Sequence, residues 1–109
     1  VPDYQYAEIL NNKTMYELFM KNCEEIGREM PLQDPSQPGL GSTDMGNISF
    51  AMPSIHPMLA IDSGSAVNHQ PEYAAATIKS GGHKAIFDGA YGMGTTIIDL
   101  AENNLWDKL

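Results

Sequence analysis

Three histidines, at positions 56, 69 and 83, are the side chains of this 109-residue chain whose ordinary pKa suits proton transfer or metal binding near neutral pH. His69 lies in VNHQPEY (67–73), just ahead of Pro71 and Glu72, a pair that suits the first turn of a helix. An imidazole placed there can reach a metal ion or a substrate carboxylate. Alone it makes no metal centre, because zinc takes three or four protein ligands. Either its partners lie elsewhere or it is an ordinary loop residue. His56, between prolines in SIHP (54–57), reads as a structural or edge histidine more often than a ligand, and His83 beside Gly81 and Gly82 carries no signal. A second polar group is GSTDMGN (41–47), where Ser42, Thr43, Asp44 and Asn47 can be aimed at a ligand from a turn. The simpler reading is a turn and strand cap in which Asp44 bonds its own backbone.

Other combinations carry less. Ser42 or Ser49 with His69 and Asp44 has the residue types of a serine triad but no G-x-S-x-G elbow. Glu24 and Glu25 are adjacent acids on an amphipathic helix, where a solvated face is their expected role. Cys23 falls on the apolar side of that helix and is expected to be an inert buried thiol. There is no G-x-x-x-x-G-K-[ST], no H-E-x-x-H and no C-x-x-C.

The elements that would position these groups follow from periodicity. Residues 1–10 are mixed and read as a lead-in. Met15, Leu18, Phe19, Cys23 and Ile26 recur at helical spacing, with Asn12 or Thr14 as the cap and Pro31 as the stop. PLQDPSQPGLGSTD (31–44) is a loop. The β-branched and aromatic content of 47–52 and 57–62, divided by Pro53 and Pro57, predicts two short strands. A short helix should start at Pro71 and end near Gly81–Gly82. A long one should cover roughly 83–103, with Ile86, Ala90, Met93, Ile97, Leu100 and Ala101 on one side. Gly89, Gly92 and Gly94 each cost that helix about 1 kcal/mol relative to alanine, which calls for a close approach by another element. The order helix, strands, helix, helix predicts an α/β layer. Two or three short strands do not make an independent sheet, so the layer is expected to be incomplete. The competing reading is a small non-catalytic α/β binding domain.

Six basic residues against fourteen acidic ones leave a net charge of −8. Nucleic acid and anionic membrane surfaces are therefore not expected partners. Apolar runs fall well short of the ~20 residues of a membrane span. No signal-peptide pattern opens the chain. One cysteine allows no internal disulfide, and a reducing, cytoplasmic setting is expected.

GSTDMGNISFAMPSIHPMLAI (41–61) followed by NHQPEYAAATI (68–78) resembles the C-terminal part of the metal-dependent aminoacylase and carboxypeptidase-type amidohydrolases. Within that family the resemblance is to the branch of aminobenzoyl-glutamate hydrolase and the aminoacylase-like dipeptidases, over about residues 10–103. It implies that residues 1–109 are the C-terminal segment of an α/β/α layered, zinc-exopeptidase-like catalytic domain, with 1–10 leading in from an inserted lid. It implies one or two divalent ions, zinc being the expected metal, with His69 as a ligand. The other ligands and a glutamate general base would lie outside this segment. Ser42, Thr43, Asp44 and Asn47 would shape the substrate site, with His56 as a substrate contact or a support behind it. The substrate would be an N-acyl amino acid, a dipeptide or an aryl-amide conjugate. The whole enzyme is expected to be a homo-oligomer, and the segment alone to be inactive.

Overall fold

The computed structural model describes residues 8–31 and 43–109. Four α-helices and one short 3-10 helix order the described residues: α1 (Lys13–Glu25), α2 (Met45–Ala51), α3 (Pro71–Thr77), α4 (Ser80–Glu102) and the 3-10 turn Trp106–Lys108. Among them there is no strand and no sheet.

The ends of α1 are set by local chemistry. Asn12 caps it, its Oδ1 accepting the Met15 N–H at 3.1 Å. The helix stops well before Pro31. Gly27 takes a left-handed backbone (φ 82°), the Gly27 N–H donates to the Glu24 carbonyl, and the Arg28 N–H reaches back to the Cys23 carbonyl. These two bonds make the Schellman closure that glycine favours. Helix α4 ends the same way with Asn104 in the left-handed region (φ 50°), and the Leu105 N–H donates to the Leu100 carbonyl.

The core is the contact of α1 with α4. Phe19 and Cys23 of α1 are buried, and they lie where a side chain on Gly92 would have to go. A Cβ at position 92 would stand 2.7 Å from both the Cys23 sulfur and Phe19 Cε2. The glycine thus exchanges helix propensity for close approach. One turn on, Asn22 donates from Nδ2 to Asp99 Oδ2 at 2.9 Å and to Thr96 Oγ1 at 3.5 Å, so its buried amide is partnered. Gly92 and Thr96 meet α1, Gly89 faces Leu59 of the extended segment 57–62, and Leu100 is buried with them. Of the residues placed on one side of this helix by their spacing, Leu100 is buried, while Ile86, Met93 and Ile97 are exposed.

The expected α/β class is overturned by this arrangement. Residues 45–51 form α2 in place of a strand. Gly46 and Ser49, three apart, are its buried positions, whereas Ile48, Phe50 and Met52 are exposed. A helix satisfies its backbone polar groups within one segment, whereas a strand needs a neighbour to complete its ladder. The second expected strand, 57–62, alternates in burial as an extended segment does, but it pairs with no other strand. The incomplete α/β/α layer is therefore replaced by a helical arrangement.

Segment 57–62 is held instead by packing on α4, where Ile61 and Leu59 lie against Gly81 and Gly89, and by a side chain. Arg28 donates from Nη1 to the Ala60 carbonyl at 3.0 Å and from Nε to Asp88 Oδ2 at 2.8 Å. Lys84 also pairs with Asp88. The hydrogen bonds from Lys84 and Arg28 hold the Asp88 carboxyl below its usual range. Burial pushes the Cys23 thiol up, as expected for an inert packing residue.

Two stability effects follow. Gly92→Ala should destabilise the chain by about 1–3 kcal/mol through overpacking, whereas Gly94→Ala, with open space around its Cβ, should stabilise it by about 1 kcal/mol. Urea melts followed by far-UV circular dichroism read both. Because the folded pKa of Asp88 is depressed, its stabilisation is complete above the unfolded carboxylate value of about 3.9 and fades as pH falls through the folded value. Melts across that acid range should therefore show a smaller pH dependence in Asp88→Asn than in the parent chain.

Candidate functional site

His69 stands two residues ahead of α3, and local bonds build the loop that carries it. The Ala66 N–H donates to the Ser63 carbonyl, the Ser63 hydroxyl donates to the Ala66 carbonyl, and the Val67 N–H donates to Gln70 Oε1 at 3.1 Å. Gln70 occupies the cap position of α3, Pro71 its first turn, and Glu72 lies at its positive end. His69 itself adopts a left-handed backbone, φ 67°. Such a conformation costs a non-glycine residue on the order of 1 kcal/mol or more and collects at functional positions. The ring is exposed, and no hydrogen bond holds it among the described residues.

The other expected site residues lie around α2. Ser42 falls outside the described residues. Thr43 Oγ1 accepts the Met45 N–H at 3.3 Å, closing the turn into α2. Asp44 is the cap residue of α2 in place of the strand cap expected of it; it is exposed and makes no side-chain cap bond. Asn47 is exposed on α2. His56 is exposed, and its backbone N–H donates to Asn11 Oδ1 at 3.1 Å. This neighbourhood is fastened to the start of the chain. The Leu10 N–H donates to Ser49 Oγ, the Ser49 hydroxyl donates to the Gly46 carbonyl, and the Asn12 N–H donates to the Ser54 carbonyl. Ser49 is buried in that fastening, which agrees with setting it aside as a nucleophile.

No hydrogen bond or ion pair joins His69 to Thr43, Asp44 or His56 among the described residues. Nor do three or more His, Cys, Asp or Glu side chains converge there to hold a metal ion. One cavity of about 420 Å³ lies between the chain start and α2, lined by Leu10, Asn12, Lys13, Ser49 and Phe50 among others. Another of about 550 Å³ follows α1, lined by Glu24, Arg28, Glu29 and Met30 among others. Neither contains any of the expected site residues. The best-connected charged group is Arg28–Asp88–Lys84. Its acid–base spacing on α4, Lys84 four residues before Asp88, was visible in the sequence, but the arrival of Arg28 from the turn after α1 was not.

Over 74 residues, 67 % of this chain, the sequence is 39 % identical to the human Xaa-Arg dipeptidase. The chain is similar to part of a dipeptidase. The mouse Xaa-Arg dipeptidase is 36 % identical over a stretch of the same length. The matched stretch spans 17 % of the length of each of these relatives. No family model and no solved structure matches the chain.

The strain at position 69 can be weighed separately from any chemistry. His69→Gly should raise the stability of the chain by up to about 1 kcal/mol, because glycine takes the left-handed region freely. A lower urea midpoint for this variant would show that the ring contributes packing within the chain.

Proposed function

We propose that this chain is a segment of a longer amide hydrolase of dipeptidase type, and that it contributes His69 to an active centre completed by the rest of the polypeptide. The observation that carries this reading is the 39 % identity to a dipeptidase over a stretch that makes up 17 % of the relative's length. The position of His69 supports it. The residue stands exposed ahead of a helix start, on a left-handed backbone of the kind that collects at functional positions.

The proposed role of His69 is one neutral nitrogen donor to a divalent ion, with zinc as the expected metal. The described residues do not fit a metal by themselves: they supply one donor, whereas zinc takes three or four protein ligands. No catalytic step is therefore assigned to them. Thr43, Asp44, Asn47 and His56 are proposed to line the substrate side, with Thr43 fixing the turn that presents Asp44. The first substrates to assay are dipeptides with arginine in second position, matching the relatives' name, followed by N-acyl amino acids. A cytoplasmic location and a homo-oligomeric state belong to the same proposal.

The longer polypeptide should hydrolyse such dipeptides. His69→Ala should lower its turnover by about a hundredfold or more and lower its bound metal, since even residues that merely support a metal ligand are worth 10–100-fold. Elemental analysis of the purified protein supplies the metal readout. The 109-residue chain should show no turnover. Full activity and full metal content in His69→Ala, or turnover by the short chain, would overturn the assignment.

A further inference from the structure

The outer side of α4 does not look like the surface of a finished protein. Its inner side meets α1 through Gly92. The opposite side carries Ile86, Phe87, Met93, Ile97 and Ile98, which are 67 %, 74 %, 54 %, 61 % and 53 % exposed. From Ala85 to Ala101 the only charged residues are Asp88 and Asp99. Asp88 is buried in its ion pairs, and Asp99 accepts a bond from Asn22 on the inner side. Exposed charges appear only at the flanks, at Lys84 and Glu102. A helix that is apolar all round is characteristic of a protein interior or a membrane span. No helix among the described residues is long and apolar enough to cross a membrane.

Gly94 provides a separate indication. A Cβ at Gly81, Gly82, Gly89 or Gly92 would run into another part of the chain, so each of those glycines answers to an internal contact. Gly94 meets nothing within 4 Å. Its helix penalty is uncompensated here, and it sits in the middle of the uncharged outer side.

We infer that the outer side of α4 is an interior packing surface covered by the remainder of the same longer polypeptide, whose backbone approaches α4 closely at Gly94. This rests on the reading of the chain as a segment of a larger enzyme. The occupant is chosen on length: the stretch matched here is 17 % of the dipeptidases it resembles, so most of such a polypeptide lies outside it and must pack somewhere. An apolar surface of that remainder buries the exposed side chains of α4 without leaving any charge unpaired.

Two variants test this in both the 109-residue chain and the longer polypeptide. Gly94→Ala should raise the melting temperature of the short chain and lower that of the longer one. Ile97→Cys should react readily with a maleimide in the short chain and about tenfold or more slowly in the longer one, with buried Cys23 adding little background. Equal labelling in both, or a higher melting temperature for Gly94→Ala in both, would overturn the inference. It would also fall if Ile97→Cys were protected in the short chain by a dimer seen in sedimentation yet open in the longer polypeptide. Dipeptide hydrolysis is measured in parallel. Protection without hydrolysis leaves the inference standing and removes the functional reading; hydrolysis with an open label does the reverse.

Discussion

The absent side chain at Gly92 is the constraint on which the described core depends. It lets the Phe19 ring and the Cys23 sulfur lie against the backbone of α4, and these are the two largest fully buried side chains of the described core. Once α1 is seated at that distance, Asn22 falls within reach of Thr96 and Asp99, and Arg28 within reach of Asp88. The polar links are secondary to the close approach. They satisfy groups that the packing has already brought out of water, and each is worth about 1 kcal/mol or less in net stability unless charged.

Helices α1 and α4 were legible because their periodicity is local, and so was the entry to α3, where Pro71 and Glu72 mark the start. The misread segments are those in which local preference and context disagree. NISFA has the β-branched and aromatic content of a strand, yet its informative positions are Gly46 and Ser49, spaced three apart and turned inward on a helix. The extended segment 57–62 was read from its residue content and the prolines that bound it. What could not be read was the absence of a ladder partner, because strand pairing is a property of two segments. The early stop of α1 had a visible signal in Gly27, which outweighs Pro31 as a terminator because it closes the helix with two backbone bonds.

The candidate site divides in the same way. The loop geometry at His69 and the turn at Thr43 come from residues within a few positions of each other, so both could be anticipated as polar turns. Their relation to one another is long-range, and the described residues do not converge on a common cavity. Similarity to a dipeptidase over a minor part of its length gives that separation a physical sense. A centre shared between distant parts of a polypeptide leaves each part holding groups that look isolated.

The attachment of segment 57–62 through Arg28 bears on the sequence of folding events. A ladder would place this segment by many weak bonds formed together with a neighbouring strand. Here its place rests on its packing at Gly81 and Gly89 of α4 and on one guanidinium, presented by a turn that can form only after α1 has closed on Gly27. Contacts between distant residues generally form later than local ones. The extended segment is therefore expected to find its place after the helical pair, and losing the Arg28 cation would leave it held by its packing at Gly81 and Gly89 of α4 alone.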